Sequence, residues 1–313
     1  MENEEIYQKT EALKENLALV IKGKAAVIDL AVTALLARGH LLLEDVPGVG
    51  KTTLAKGLAR SINCSFQRIQ FTSDLLPSDV IGMTVYNQTE HTFEFRKGPI
   101  FANIVLADEI NRATPKTQSA LLEAMNDRQV SVDRVSHHLP EPFMLLATQN
   151  PLEFSGTFVL PESQLDRFTM CLRIGYPDPE HEREVIRMTP SARTIEDLSP
   201  VINIKDLCAM QALAERVRVD DDLVSYIIAI VTGTRNHRDI RLGVSPRATT
   251  TLYRTARAHA VACGRDYCLP DDIKALCVPV FAHRIIPEEQ GFNGVERNAA
   301  LIEDVLSNVS VPV

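Results

Sequence analysis

The sequence predicts an α/β fold, in which a five-stranded parallel sheet has helices on both faces and carries two inserted β-hairpins. Two observations predict the sheet: short apolar or β-branched runs recur in the first half of the chain, and helical spacings separate most of them. A third observation predicts a second unit, because helical patterns continue after residue 175 while strand-like runs stop. We therefore expect an α/β domain over 1–175 and an all-helical domain over 176–313.

The predicted elements follow one another in a regular order. Two helical patterns occupy residues 6–38, and Gly39 ends the second of them. The strand-like runs lie at 40–44, 66–71, 103–107, 143–147 and 169–174. Two further pairs of runs flank polar turns and predict hairpins at the edge of the sheet, at 83–87 with 92–95 and at 129–132 with 135–139. The later helical patterns lie near 180–188, 205–217, 221–235, 246–263, 270–282 and 293–307.

The composition excludes several classes of protein. The chain has 313 residues, of which 45% are hydrophobic and 24% charged, a balance typical of a folded globular protein. Its net charge of −8 disfavours a surface that wraps nucleic acid. The acidic N-terminal segment does not resemble a signal peptide, and no apolar run approaches the roughly 18 residues that span a bilayer. We expect a cytoplasmic protein with no direct membrane insertion.

The most informative stretch follows the first predicted strand. The apolar run 41–43 leads into a glycine-containing turn, and helical spacing begins directly after it. A strand, a glycine turn and a helix N-terminus together form a phosphate cradle, because the backbone can wrap the anion and free N–H groups point at it. The residues of this cradle are Asp45, Val46, Pro47, Gly48, Val49, Gly50, Lys51, Thr52 and Thr53.

Two side chains of the cradle have expected roles. Lys51 would reach the β- and γ-phosphates, and the Thr52 hydroxyl would ligate Mg²⁺. Asp45 stands where the general P-loop pattern has its first glycine. The alternative is an ordinary glycine turn before a helix, but the strand-turn-helix context favours binding of a nucleoside triphosphate.

A second strand ends in two carboxylates. The apolar run 104–107 leads into Asp108 and Glu109, and ligands of open α/β sheets bind beyond the carboxyl ends of the strands. We expect Asp108 to hold Mg²⁺ and Glu109 to orient and deprotonate the attacking water. The alternative is a solvated pair at the end of a strand.

Three more polar residues are candidates for the same chemistry. Asn150 follows the strand-like run 143–147 and would hold the lytic water or a γ-phosphate oxygen, or it is a turn residue before a proline. Arg167 precedes the last strand, and Arg247 falls in the first turn of a helix that Ser245 caps. Either arginine could supply positive charge for phosphoryl transfer, or could form a structural ion pair.

Together these residues resemble the AAA+ ATPases, and within them the MoxR family, over essentially the whole chain. The blocks that carry the resemblance are 43–52 (Leu-Glu-Asp-Val-Pro-Gly-Val-Gly-Lys-Thr), 95–101 (Phe-Arg-Lys-Gly-Pro-Ile-Phe), 108–113 (Asp-Glu-Ile-Asn-Arg-Ala), 118–125 (Gln-Ser-Ala-Leu-Leu-Glu-Ala-Met), 147–151 (Ala-Thr-Gln-Asn-Pro), 160–168 (Leu-Pro-Glu-Ser-Gln-Leu-Asp-Arg-Phe) and 245–248 (Ser-Pro-Arg-Ala). The loop with Asp45 in place of the first glycine resembles this family's own variant of the P-loop.

The resemblance implies a specific assembly and activity. ATP would lie between the α/β core and a helical lid, within a ring that we expect to be a hexamer, and would be hydrolysed to ADP. Asn150 would be the sensor 1 residue, Arg167 the arginine finger that reaches a neighbour's ATP, and Arg247 the sensor 2 residue. Val20 and Ile21 would contact the adenine. The hairpins would face the pore.

The resemblance also implies a function in protein maturation. Family members are thought to remodel or activate other protein complexes, often with a partner that carries a von Willebrand factor A domain. The main alternative is a DNA-acting AAA+ motor or loader, but the predicted hairpin tips, 88–91 and 133–134, lack the clustered cations that grip phosphates. A third possibility is a nucleotide switch that binds without turnover. An argument against it is the complete set of residues for hydrolysis, Lys51, Asp108, Glu109 and Arg167.

Overall fold

The computed structural model describes residues 3–150, 156–187, 194–289 and 294–312. Residues 151, 188 and 293, which are end residues of the segments 147–151, 180–188 and 293–307 named above, lie outside these ranges. The strands of the described chain are β1 (Leu41–Glu44), β2 (Phe66–Gln70), β3 (Gly82–Asn87), β4 (Thr92–Lys97), β5 (Ile104–Asp108), β6 (Gln129–Val132), β7 (Val135–His138), β8 (Met144–Gln149), β9 (Met170–Leu172), β10 (Ile240–Leu242) and β11 (Ile286–Pro287).

Helices occupy most of the remaining described chain. They are α1 (Asn3–Ala18), α2 (Ala25–Leu36), α3 (Lys51–Ile62), α4 (Pro77–Ile81), α5 (Pro115–Asp127), α6 (Glu162–Leu165), α7 (Pro179–Arg187), α8 (Ile204–Ala214), α9 (Asp221–Asn236), α10 (Pro246–Ala262), α11 (Pro270–Phe281) and α12 (Gly294–Asn308). Short 3₁₀ helices are formed by Ile110–Arg112, Ile195–Asp197 and Ala282–Arg284. None of the described helices is long and apolar enough to cross a membrane.

The central sheet is five-stranded and parallel, in the order β2-β5-β8-β1-β9. Its side chains alternate between two hydrophobic clusters, because successive residues of a strand point to opposite faces. In β1, Leu41 and Leu43 pack into one cluster while Leu42 packs into the other. Helices cover both faces, α3 on one and α5 on the other. The predicted five strands and the two-sided covering are thus confirmed.

The two predicted hairpins are present, and neither adds a strand to the central sheet. β3–β4 and β6–β7 each form a two-stranded antiparallel sheet of their own. They lie against one another, and the ring of Phe95 stacks on that of His137 with 3.8 Å between the ring centres. This side-chain stacking between the hairpins is a long-range contact that turn composition does not reveal.

The C-terminal region is helical, as predicted, with one exception. β10 pairs antiparallel with β11 and forms a small ribbon within it. These strands have three and two residues, so they are too short to show a period in the sequence. The division of the chain at residues 175 and 176 stays a prediction, because one continuous hydrophobic cluster includes residues from both sides, from Ile6 to Val305.

A buried arginine joins the helical region to the core. Arg284 donates from Nε to Oδ1 of Asp166 (2.9 Å) and from Nη1 to the carbonyl of Thr169 (3.2 Å). The Ser245 hydroxyl, which caps α10, also donates to the Asp166 carboxylate. Removal of one partner from a buried pair leaves an uncompensated charge, so this contact strongly favours one arrangement. It fixes the turn before β9 against the start of α10.

Candidate functional site

The cradle between β1 and α3 is open to a ligand. Gly48 and Gly50 have φ values of +86° and +100°, which only glycine adopts at little cost. A side chain placed on Gly48 would meet no atom within 4 Å, so the loop leaves space beside its backbone. The first N–H groups of α3 face this loop without partners in the helix, as at every helix N-terminus, and they favour an anion.

The predicted site residues of three strands meet at this loop. They line one cavity of about 390 Å³, together with two residues that the sequence did not suggest. Its lining consists of Pro47, Gly48, Gly50, Lys51, Thr52, Thr53, Arg68, Gln70, Asp108, Glu109 and Asn150.

Lys51 is held by the loop itself. Its Nζ donates to the backbone carbonyl of Asp45 at 2.8 Å. Partial burial lowers the pKa of the Lys51 ammonium, while the carboxylates of Asp45, Asp108 and Glu109 act in the opposite direction. The Lys51 ammonium therefore lies at the cavity and donates to a neutral carbonyl, which a phosphate oxygen can replace as the acceptor.

The carboxylate of Asp45 turns away from the phosphate cradle. It is buried, and its Oδ2 accepts hydrogen bonds from the backbone N–H groups of Ile174 (2.5 Å) and Gly175 (2.8 Å). These two residues follow β9 and begin the link to the C-terminal region. The side chain of Asp45 thus holds this linker, and its backbone carbonyl accepts from Lys51. Its predicted contact with the nucleotide stays a prediction.

Asp108 lies at the end of β5 between two side chains. The Thr148 hydroxyl donates to its Oδ1 at 2.6 Å. Arg68, on the neighbouring strand β2, donates to its Oδ2 from Nε (3.0 Å) and Nη2 (2.5 Å). Oxygen ligands suit Mg²⁺, and Asp108 and Thr52 line the same cavity, so the donor set fits this ion.

Glu109 has a left-handed backbone conformation, with φ +57°. Its N–H donates to the Thr148 hydroxyl at 2.8 Å, which fixes it beside Asp108. Gln70 donates to its Oε2 at 2.7 Å, and Arg112 forms an ion pair with the same oxygen at 3.0 Å. Glu109 is thus engaged by neighbouring protein groups in this structure.

Sequence reasoning missed Arg68, Gln70 and Thr148. A signal for the first two exists, because polar residues alternate at the end of β2 and such residues share one face. In the sheet Gln70 stands opposite Asp108, which brings β2 beside the carboxylates. That pairing is a property of the strand order, so the alternation alone did not indicate a site.

The remaining predicted nucleotide contacts lie in different surroundings. Asn150 is almost fully buried and lines the cavity. Val46 is half-buried, and Val49 packs partly buried against the hydrophobic core. Ile21 is buried in that core and Val20 packs against it, and neither lines the cavity around the cradle. Their predicted contact with adenine stays a prediction.

Arg167 and Arg247 lie at the opposite edge of the sheet. Arg167 precedes β9, which runs parallel to β1, so it is at the amino ends of the strands while the cradle is at the carboxyl ends. Four residues of β1 separate the two edges by roughly 13 Å. Arg167 donates to the carbonyl of Leu122 at 2.7 Å, and Arg247 donates to the side-chain oxygen of Asn126.

Both arginines line a second cavity, of about 280 Å³. We name it the arginine cavity, after the five arginines in its lining, which are Arg38, Arg128, Arg167, Arg247 and Arg254. The structure thus brings the predicted finger and sensor 2 residues together and places both away from the cradle of their own chain.

Comparison with known proteins agrees with this architecture. Residues 40–170 match the ATPase family associated with various cellular activities (AAA), and residues 232–305 match the AAA lid domain. The chain is 39% identical to the chaperone MoxR1 of Mycobacterium tuberculosis over 94% of its own length and 80% of the relative's. The chain belongs to the MoxR family of AAA+ ATPases.

Other members of the comparison are similar over nearly the whole chain. The YeaC protein of Bacillus subtilis is 49% identical over 96% of this chain and 93% of that protein. A crystal structure from Cytophaga hutchinsonii, of a protein provisionally assigned as an ATPase, superimposes with a TM-score of 0.89 at 36% identity, covering 99% of this chain and 97% of the other. The MoxR-family fold therefore extends through the helical region.

The contacts of Asp45 generate a testable prediction. In Asp45→Gly, which restores the general P-loop residue, the N–H groups of Ile174 and Gly175 lose their acceptor. We expect the free energy of unfolding to fall by about 1–3 kcal/mol, the cost of an unsatisfied buried donor. Hydrogen exchange measured by NMR should show faster exchange of these two amides. Asp45→Asn keeps one acceptor oxygen and serves as the control, with a smaller loss. Unchanged protection in Asp45→Gly would contradict the assigned role.

Proposed function

We propose that this chain hydrolyses ATP to ADP as a subunit of a ring, expected to be a hexamer, and uses the energy to remodel, mature or activate partner protein complexes. The observation that carries the proposal is the meeting of Lys51 and Thr52 with Asp108 and Glu109 in one cavity. A cradle for phosphates, a site for Mg²⁺ and a general base are the parts that ATP hydrolysis needs.

The loop and the start of α3 would bind the triphosphate. The positive φ values of Gly48 and Gly50 expose backbone N–H groups, and Lys51 adds a full charge. Thr52 and Asp108 would hold Mg²⁺, which neutralises phosphate charge when bound. Arg68 would then give up its ion pair with Asp108.

Glu109 would act as the general base for the attacking water through one oxygen of its carboxylate. Gln70 and Arg112 both contact the other oxygen, Oε2, and would orient the group. Asn150 would hold the same water or a γ-phosphate oxygen through its amide, without adding charge.

The positive charge at the γ-phosphate would come from a neighbouring subunit. Arg167 and Arg247 lie at the amino ends of the strands, while their own cradle lies at the carboxyl ends. The sequence left open whether Arg247 acts on its own nucleotide. Its position beside Arg167 favours action across the subunit boundary for both.

The surface of the hairpins supports a protein rather than DNA as the target. Apolar side chains are exposed there, with Phe93 exposed by 75%, Val135 by 55% and Tyr86 by 45%. Exposed apolar groups mark protein contacts, whereas DNA binding requires clustered cations. The chaperone name of the M. tuberculosis relative agrees with this. We also propose a von Willebrand factor A domain partner and a cytoplasmic location, which rest on the family resemblance.

Two single variants test the catalytic assignment. Lys51→Ala should lose nucleotide binding, because it removes the lysine of the cradle. Glu109→Gln should bind ATP and lose turnover, because an amide cannot accept the proton. Glu123→Gln, the same change on an exposed residue of α5, is the control and should hydrolyse ATP normally. Phosphate release and nucleotide-binding assays measure both steps, and normal turnover by Glu109→Gln would show that the base is wrong.

A DNA assay separates the proposal from its main alternative. We expect neither single- nor double-stranded DNA to bind tightly at physiological salt or to stimulate the ATPase. The reason is the net charge of −8 and the lack of clustered cations at the described hairpin tips. A salt titration of binding, together with ATPase rates with and without DNA, measures this. Strong stimulation would favour a DNA-acting motor.

The role of Arg167 across the subunit boundary has a decisive test in mixed rings. Arg167→Ala should bind ATP nearly normally and hydrolyse it about 10³–10⁵ times more slowly, the usual worth of an arginine finger. Mixed with the equally inactive Glu109→Gln, it should regain activity. In such rings an intact Glu109 in one subunit meets an intact Arg167 from its neighbour.

The control for this experiment mixes Lys51→Ala with Glu109→Gln. Every site in that ring still lacks one residue that acts within its own subunit, so no activity should return. Co-assembly is measured in both mixtures by light scattering and affinity capture of differently tagged subunits. If Arg167→Ala and Glu109→Gln assemble together without recovery, Arg167 has a structural role instead.

A further inference from the structure

The arginine cavity concentrates positive charge in a chain whose net charge is −8. Five guanidinium groups line it, and among the described residues no carboxylate does so. Such a concentration of like charge costs energy unless an anion compensates it.

Two carboxylates that contact arginines of this cavity lie outside its lining. Glu215 forms an ion pair with Arg38 at 3.3 Å, and Glu141 stands 4.0 Å from Arg128, at the limit of an ion pair. The side chains of both glutamates are about two-thirds exposed, so solvent weakens their interaction with the arginines. They therefore compensate the charge of the cavity only in part.

The charge of Arg254 is compensated only weakly. Its Nη2 donates to the carbonyl of Ala37 over a long 3.4 Å. Burial lowers the pKa of its guanidinium, and repulsion from Arg128 lowers it further, although Glu215 acts in the opposite direction. Glu215 thus offsets the burial of Arg254 and its repulsion from neighbouring arginines only in part.

The two functional arginines also have neutral acceptors in place of charged ones. Arg167 donates to the carbonyl of Leu122, while its buried Nε has no hydrogen-bond acceptor within the described chain. Arg247 donates to the side chain of Asn126, an amide. Neither contact neutralises a guanidinium, so donors and charge remain available to a ligand.

We propose that the arginine cavity is a binding site for a small, free oxyanion of the phosphate class, such as phosphate or pyrophosphate. Guanidinium groups bind phosphate oxygens through paired hydrogen bonds, which a chloride ion or a water molecule cannot match. The volume of about 280 Å³ is just below the usual range of pockets for drug-sized ligands, so a small anion fits.

The bound anion would join separate parts of the chain. Arg247 and Arg254 belong to α10, Arg128 follows α5, and Arg167 precedes β9. The anion would therefore hold the helical region against the core at the edge opposite the cradle. This proposal requires neither ATP hydrolysis nor a ring, because all five arginines belong to one chain.

Calorimetric titration of pyrophosphate into the full-length Lys51→Ala chain tests the site. This background removes binding at the cradle, and both Mg²⁺ and nucleotide are left out. The protein is kept below the concentration at which rings assemble, so that the neighbour's cradle cannot contribute. We expect saturable binding. Its absence, or its appearance only in assembled rings, would overturn the proposal of a free anion.

Variants in the same background locate the binding. Arg254→Gln and Arg128→Gln should each weaken pyrophosphate binding about tenfold or more, the effect of losing one charge-assisted hydrogen bond. Arg238→Gln removes the same charge from a side chain that is 91% exposed and should leave the affinity unchanged. If Arg254→Gln does not fold, Arg128→Gln decides, because its side chain is 38% exposed. Equal affinity in the cavity variants and Arg238→Gln would overturn the proposal.

Discussion

The polarity of one parallel sheet determines where most of the candidate functional groups of this molecule lie. Because all five strands run the same way, their carboxyl ends share one edge and their amino ends the other. The cradle after β1, the carboxylates after β5 and Asn150 after β8 meet at the first edge. Arg167, which precedes β9, falls at the second edge. A subunit with this sheet presents a cradle on one side and a cationic cavity on the other.

The charged groups around the cradle each have a protein partner in this structure. Lys51 has a backbone carbonyl, Asp108 has Arg68, and Glu109 has Gln70 and Arg112. Each of these partners neutralises or occupies a group that hydrolysis would use. If a triphosphate and its metal bind here as proposed, they replace the contacts of Lys51 and Asp108 together, so that binding and rearrangement of the site are coupled. The groups proposed to bind the substrate are thus held in place by protein contacts.

Much of the fold could be predicted because buried strands have a local signature. The sheet strands are short apolar runs, and the P-loop couples a strand to a helix within a few residues. The missing parts depend on long-range pairing. β10 and β11 are too short for any pattern, and the place of the hairpins depends on contacts such as Phe95 with His137.

The candidate site divides in the same way. The residues of the cradle and of the strand ends have recognisable neighbours in sequence, so their meeting followed from strand polarity. Arg68 and Gln70 reach the site because β2 pairs with β5, and no local sequence pattern specifies that pairing. The partner of Asp45 lies 129 residues away, at Ile174. The joint position of Arg167 and Arg247 depends on how α10 packs against the core.

Asp45 gives the phosphate loop a mechanical connection that a glycine would lack. Its carbonyl holds Lys51, and its carboxylate clamps the backbone at Ile174 and Gly175, where the chain leaves the sheet. The carbonyl of the next residue, Tyr176, accepts a hydrogen bond from Nζ of Lys24 at 2.7 Å. A displacement of the loop would therefore act through one side chain on the start of the link to the C-terminal region. Asp45 thus has, in place of the conformational freedom of a glycine, two fixed contacts that couple the loop to the backbone at Ile174 and Gly175.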